Sequence, residues 1–196
     1  MKKILIAAAV GLLVAGSVAA QESPWLVRAR AVNLNMANEV TTAGLAGVGV
    51  NDKTIGEVDV SYFFNKNVAA ELILTLPQSQ VVSGSSGAIG TFKHLPPTVT
   101  LQYHFTDFQG FKPYVGAGLN YTKITGDNLS GGLHLDSHSY GLALQAGVDY
   151  PLTKQVSLNF DVKKVNIRTS VYSGSTDAGT LKLDPVLVGV GVGYRF

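Results

Sequence analysis

Apolar and polar side chains alternate along nearly the whole chain beyond residue 20, the period expected of strands with one greasy face. The clearest run is Pro97 to Phe105. Val99, Leu101, Tyr103 and Phe105 point one way, and Thr98, Thr100, Gln102 and His104 point the other. From Val186 every second residue is apolar (Val186, Val188, Val190, Val192, Tyr194, Phe196), with Leu187, Gly189, Gly191, Gly193 and Arg195 between them. Tyr140–Tyr150 sets Leu142, Leu144, Ala146 and Val148 against Gly141, Ala143, Gln145, Gly147 and Asp149. Trp25–Leu34, Thr54–Phe64, Val68–Leu76, Pro113–Ile124 and Val156–Ile167 complete a set of eight. Each is about 9–12 residues, the length a tilted strand needs to cross a bilayer. No stretch carries a convincing helical period.

The connections alternate in length. Asn65–Asn67, Thr106–Lys112 and Pro151–Gln155 are short and turn-like, whereas Asn35–Lys53, Pro77–Leu95, Thr125–Ser137 and Arg168–Thr180 are long and rich in Gly, Ser, Thr and Asn. This pattern predicts an all-β fold: a closed antiparallel transmembrane β-barrel of eight strands, with both ends of the mature chain on the short-turn, periplasmic side. Closure is a physical requirement, because a strand edge in hydrocarbon would leave backbone donors and acceptors unpaired.

Aromatic placement supports the same topology. Trp25, Tyr62, Phe64, Tyr103, Phe105, Tyr150, Tyr194 and Phe196 all fall on the apolar face near the short-turn ends, and Tyr121 and Tyr140 fall near the other end. Amphipathic rings favour the headgroup region, so two girdles are expected of a lipid-facing wall. A soluble, lipocalin-like ligand-binding barrel would have no such outward band.

The first twenty residues read as a signal peptide. Lys2 and Lys3 form a positive start, Ile4–Val14 an apolar run too short to span a bilayer, and Val18, Ala19 and Ala20 a small-residue cleavage site. Residues 21–196 are then the barrel. The whole chain has 15 Lys+Arg and 13 Asp+Glu; without Lys2 and Lys3 the cations fall to 13, so the mature chain is neutral. A neutral chain without a basic patch gives no reason to expect nucleic acid as a partner. Cysteine is absent, so no disulfide staples this exported protein.

Sorting the inward positions by height divides the lumen. The lower half carries Arg28, Arg30, Glu57, Asp59, Glu71, Asp149, Asp161, Lys163 and Arg195, with Gln102, His104, Asn120, Gln145 and Asn159. Charges in so narrow a space must be paired, and the set is expected to form a polar plug on the periplasmic side. The upper half carries Ile55, Ile73, Val165, Ile167, Leu181, Leu183 and Leu187. That set is either an apolar channel lining or the packed top of a small barrel. Pro77 ends the third strand while Pro96 and Pro97 open the fourth, so three ladder donors are missing from one seam. A guest stopped by a charged floor would have a lateral exit there.

Several segments resemble the OmpW family, which includes AlkL-like proteins. They are Lys93-His94-Leu95-Pro96-Pro97-Thr98 leading into Leu101-Gln102-Tyr103-His104-Phe105, Pro113–Tyr121, Asp161-Val162-Lys163-Lys164-Val165, and the closing Gly191–Phe196. The resemblance spans the mature chain. It implies an eight-stranded barrel with an apolar interior funnel and a role in moving small hydrophobic molecules across the outer membrane. The outward-facing terminal Phe196 resembles the signature read by barrel-assembly machinery.

Other features carry less. Lys123, Lys164 and Arg168 are placed to meet lipid phosphates, including those of lipopolysaccharide, or to snorkel. His134, Asp136 and His138 share a face, but three groups at a loop–strand junction read as solvated side chains rather than a metal site. No defensible nucleophile–base set is present, so neither enzyme activity nor a cofactor is expected, and a monomer is. The rival function is a structural or interaction barrel whose loops serve as a receptor for phage or bacteriocin.

Overall fold

The computed structural model describes residues 23–40, 47–85 and 87–196. The signal peptide expected over residues 1–20 lies outside them. Eight strands form the wall: β1 (Trp25–Asn35), β2 (Lys53–Phe63), β3 (Val68–Thr75), β4 (Thr98–His104), β5 (Lys112–Leu129), β6 (His138–Pro151), β7 (Val156–Val165) and β8 (Val186–Arg195). Each pairs antiparallel with the next, and β8 pairs back onto β1 from Leu26↔Arg195 to Asn35↔Val186, so the sheet closes.

The alternation has the expected consequence. Val99, Leu101, Val188 and Val190 face outward and are exposed, while Thr98, Thr100, Gln102 and His104 are buried inside. Outward rings meet edge to face in pairs near the short-turn end: Trp25 with Tyr62, Tyr103 with Phe105, Tyr194 with Phe196. Tyr121 and Tyr140 meet at the other end with centroids 5.1 Å apart. Two of the short turns are reinforced by side chains as well as by backbone bonds. Asn65 Oδ1 accepts from the backbone N–H of Asn67 and Val68 (2.8 and 2.9 Å) between β2 and β3. Thr153 Oγ1 does the same for Gln155 and Val156 between β6 and β7.

The long connections differ from the reading as plain loops. Gln78–Gly84 pairs with Gly87–Leu95, and Arg168–Ser173 with Thr176–Lys182, so two hairpins carry the wall beyond the barrel rim. Leu133–Leu135 pairs with the second hairpin, and Gly49–Val50 with the first. β7 also ends at Val165, two residues short of Ile167. Among the described residues the only helical element is a 3₁₀ turn at Ser130–Gly132.

Candidate functional site: a filled lumen and a break in its wall

The lower lumen is filled by one ion network. β1 supplies Arg28 and Arg30, and their neighbours across the ladder are Asp59 and Glu57 of β2. Arg28 reaches Asp149 (2.6 Å), Asp59 (3.3 Å) and Glu71 (3.4 Å). Arg30 contacts Glu57 (2.9 Å), Asp59, Glu71 (3.3 Å) and Asp161 (3.5 Å). Lys163 spans Glu57 (2.8 Å) and Asp161 (2.7 Å). Three cations thus serve five carboxyl groups, all nearly inaccessible to solvent.

Glycines on β8 make room for the arginines. A Cβ on Gly191 would stand 2.7 Å from Arg30 Cγ, and one on Gly193 3.3 Å from Arg28 Cγ. The small residues of this strand are therefore the space into which the long side chains lie.

Arg195 is placed apart from these ion pairs. It sits half-buried at the short-turn mouth, over the ring of Phe63 (4.2 Å) and donating from Nε to the Ser23 carbonyl (2.9 Å). Being one residue from the end of the alternating strand, it is at the rim of the lumen, not within it. From Phe63 a column of rings runs inward through His104 and Tyr114 to Arg28, at spacings of 4.8, 5.0 and 5.1 Å.

Above this floor the side chains become apolar. Ile55, Val165, Ile167, Leu181, Leu183 and Leu187 are buried in one cluster with Val32, Leu34, Phe92 and Ile124. Ile73 is buried beside them. In this conformation the cluster is packed. The cavity next to it measures about 20 Å³, room for one water-sized group.

That cavity lies behind a break in the wall. The β3–β4 ladder runs from Val68↔Tyr103 to Ile73↔Thr98 and stops. Pairing between the two sides resumes only at Gln78↔His94, in the hairpin above. Leu74, Thr75, Leu76 and Pro77 on one side, and Leu95, Pro96 and Pro97 on the other, have no partner across the gap. The outer flanks stay joined: Thr75 pairs with Glu57, Leu95 with Lys123, and Tyr121 donates to the Pro97 carbonyl at 3.0 Å. Ile73, Thr75, His94, Pro96, Thr98 and Leu187 are among the residues lining the cavity.

Comparison with known proteins agrees with this architecture. The model of the OmpW family matches residues 15–196. The chain belongs to the OmpW family. Among OmpW-like relatives, an uncharacterized outer-membrane protein of Sinorhizobium fredii is 42% identical over 190 residues, covering 91% of this chain and 82% of that one. Outer membrane protein W of Escherichia coli is 34% identical over the full length of both. The crystal structure of the outer membrane protein OprG from Pseudomonas aeruginosa superimposes with a TM-score of 0.75 at 25% identity, over 92% of this chain and 99% of that one. The protein is an integral outer-membrane barrel.

In this OmpW-family barrel the structure adds residues that the sequence-based sorting of the lumen left out, although the parity of Thr100 was already inward. Tyr114 is buried, donates to Asp161 Oδ2 (2.7 Å) and accepts from Asn159 Nδ2 (3.1 Å). Its parity with Asn120 was the available signal. Thr100 donates to Glu71 Oε2 (3.0 Å), and Ser61 Oγ accepts from Arg28 (3.2 Å). His94 and Gln80 are buried in the first hairpin; no period-two signal survives the Gly- and Ser-rich composition around them. His134 and His138 stack on Tyr172 and Tyr121, and no metal-binding cluster occurs among the described residues. Lys164 donates to the Asp184 carbonyl, and Arg168 approaches Asp184 (3.5 Å).

Proposed function

We propose that this protein is a passive outer-membrane channel for small hydrophobic molecules. Guests enter the apolar upper interior from outside and leave sideways through the β3–β4 seam, above the ion-filled periplasmic floor. The observation that carries the reading is the interrupted ladder, with Pro77, Pro96 and Pro97 in it and an apolar interior directly behind it. Burial of apolar guest surface at roughly 25 cal/mol per Å² supplies the affinity for that interior. Charge in the floor supplies the barrier to going straight through.

Since the cavity holds only about 20 Å³, passage requires the upper cluster or the Gln78–Leu95 hairpin to give way. Packing of that cluster favours a second reading, a structural or interaction barrel whose hairpins bind a partner such as phage or bacteriocin. One experiment separates them. The double variant Pro96→Ala/Pro97→Val restores two backbone donors at the seam. Its uptake of a labelled hydrophobic solute is compared with that of the parent protein at equal outer-membrane abundance. The channel reading expects a clear fall; unchanged uptake rejects the seam, and no uptake by the parent protein favours the interaction barrel.

A further inference from the structure

The seam cavity is apolar over most of its wall, yet residues that line it carry buried polar atoms that the protein leaves unmatched. Thr75 Oγ1 and both ring nitrogens of His94 are buried without a hydrogen-bond partner in the protein, and so are both amide atoms of Gln80 in the same hairpin. His94 is 1% exposed. Thr75 and His94 line the cavity from the two sides of the break. Buried polar groups are almost always paired, so the unmatched atoms of Thr75 and His94 on the wall of one small cavity, which Glu57 with its unmatched Oε2 also lines, mark a place where something else is bound.

The charged neighbours narrow what that can be. Glu57 and Lys163 also line the cavity, but they are bonded to each other at 2.8 Å, and Lys163 also holds Asp161 at 2.7 Å. Lys163 already serves two carboxylates and Glu57 already serves Lys163 and Arg30, so a guest charge of either sign would be desolvated without an uncommitted counter-ion. A neutral hydroxyl or carbonyl needs no counter-ion. An imidazole and a hydroxyl together offer both donors and acceptors, and 20 Å³ suits one water-sized polar group.

We propose that the seam selects neutral amphiphiles: molecules with one hydroxyl or carbonyl on a hydrocarbon body. The polar atom sits between Thr75 and His94, while the hydrocarbon runs past Pro77 and Pro96 into the acyl chains. A pure hydrocarbon leaves Thr75 and His94 unmatched, as they already are, and so lacks the hydrogen bond that favours the alcohol. This inference rests on the lateral-exit reading and names its substrate class.

The test compares uptake of octan-1-ol with that of n-octane by the full-length protein in proteoliposomes, each rate corrected for protein-free vesicles. Two variants are used: His94→Phe, which keeps a ring beside Phe92, and Thr75→Val, which exchanges a hydroxyl for a methyl. The parent protein is expected to favour the alcohol. The alcohol-to-alkane ratio is expected to fall roughly tenfold in His94→Phe and severalfold in Thr75→Val, the weight of one hydrogen bond to a buried group. If His94→Phe fails to assemble, Thr75→Val decides alone. A ratio equal to that of the parent, or a parallel fall for both probes, overturns polar selection while leaving the lateral exit standing. A parent protein that passes neither probe overturns both.

Discussion

Arg30 offers the sharpest test of the idea that the lower lumen is held by ion pairing. Its guanidinium meets four carboxyl groups, those of Glu57, Asp59, Glu71 and Asp161, in a space closed to water. Arg30→Met keeps the length and the packing but leaves five carboxyl groups to Arg28 and Lys163. Breaking a buried pair by removing one partner costs about 3–5 kcal/mol, because the uncompensated charge stays behind. Glu57→Gln in the parent protein should cost only about 1 kcal/mol. Its amide oxygen can take the Oε1 place facing Lys163 and Arg30, and the amide nitrogen falls where Oε2 accepts no hydrogen bond. In the Arg30→Met background the sign should reverse, since Glu57→Gln then removes surplus negative charge. Denaturant unfolding from lipid vesicles reads all four proteins through Trp25, the single tryptophan, which stands on the lipid-facing girdle. A cost for Arg30→Met below about 1 kcal/mol, or an equal cost for Glu57→Gln in both backgrounds, refutes the network argument.

Two further changes probe the other regions. Leu101→Arg places a charge on the exposed outer face of β4 and is expected to cost about 2–4 kcal/mol in the same unfolding assay if that face meets acyl chains; a neutral result would contradict the lipid-facing assignment. Phe92→Ala empties part of the packed upper cluster and is expected to cost about 3–5 kcal/mol while speeding hydrophobic uptake. A loss of stability without faster uptake would mean that this cluster is not the passage.

The wall was legible in the sequence because a membrane barrel repeats one physical constraint at every second residue. Val99, Leu101 and Tyr103 must face lipid, so Thr100 and Gln102 cannot. Height was legible for the same reason, which placed Arg28, Asp59 and Asp161 low and Ile55 and Leu187 high. Partnership was not. Arg28 and Asp149 are 121 residues apart and meet across the lumen, a distance that strand parity does not encode. The hairpins above the rim were hidden because their solvent-facing sides carry Gly, Ser and Thr, the residues that otherwise mark loops. With them went His94 and Gln80, whose burial depends on a pairing of Gln78 with His94 that composition conceals.

Magnitudes decide between the two ways out of such a lumen. A guest moving straight down must part Arg30 from four carboxyl groups and Lys163 from two. Each exposed pair costs about 3–5 kcal/mol with no compensating contact from a hydrocarbon. Parting the wall at an intact ladder loses about 4–6 kcal/mol for every backbone bond, because hydrocarbon offers no replacement partner. At the β3–β4 break no ladder bond joins Leu74–Pro77 to Leu95–Pro97, so that term vanishes, and what remains is repacking of apolar side chains against an apolar guest. Under the proposed channel function, the tight ion pairing that closes the floor makes the unladdered β3–β4 stretch the route of least resistance, and the proline positions and the charged positions would act as two halves of one device.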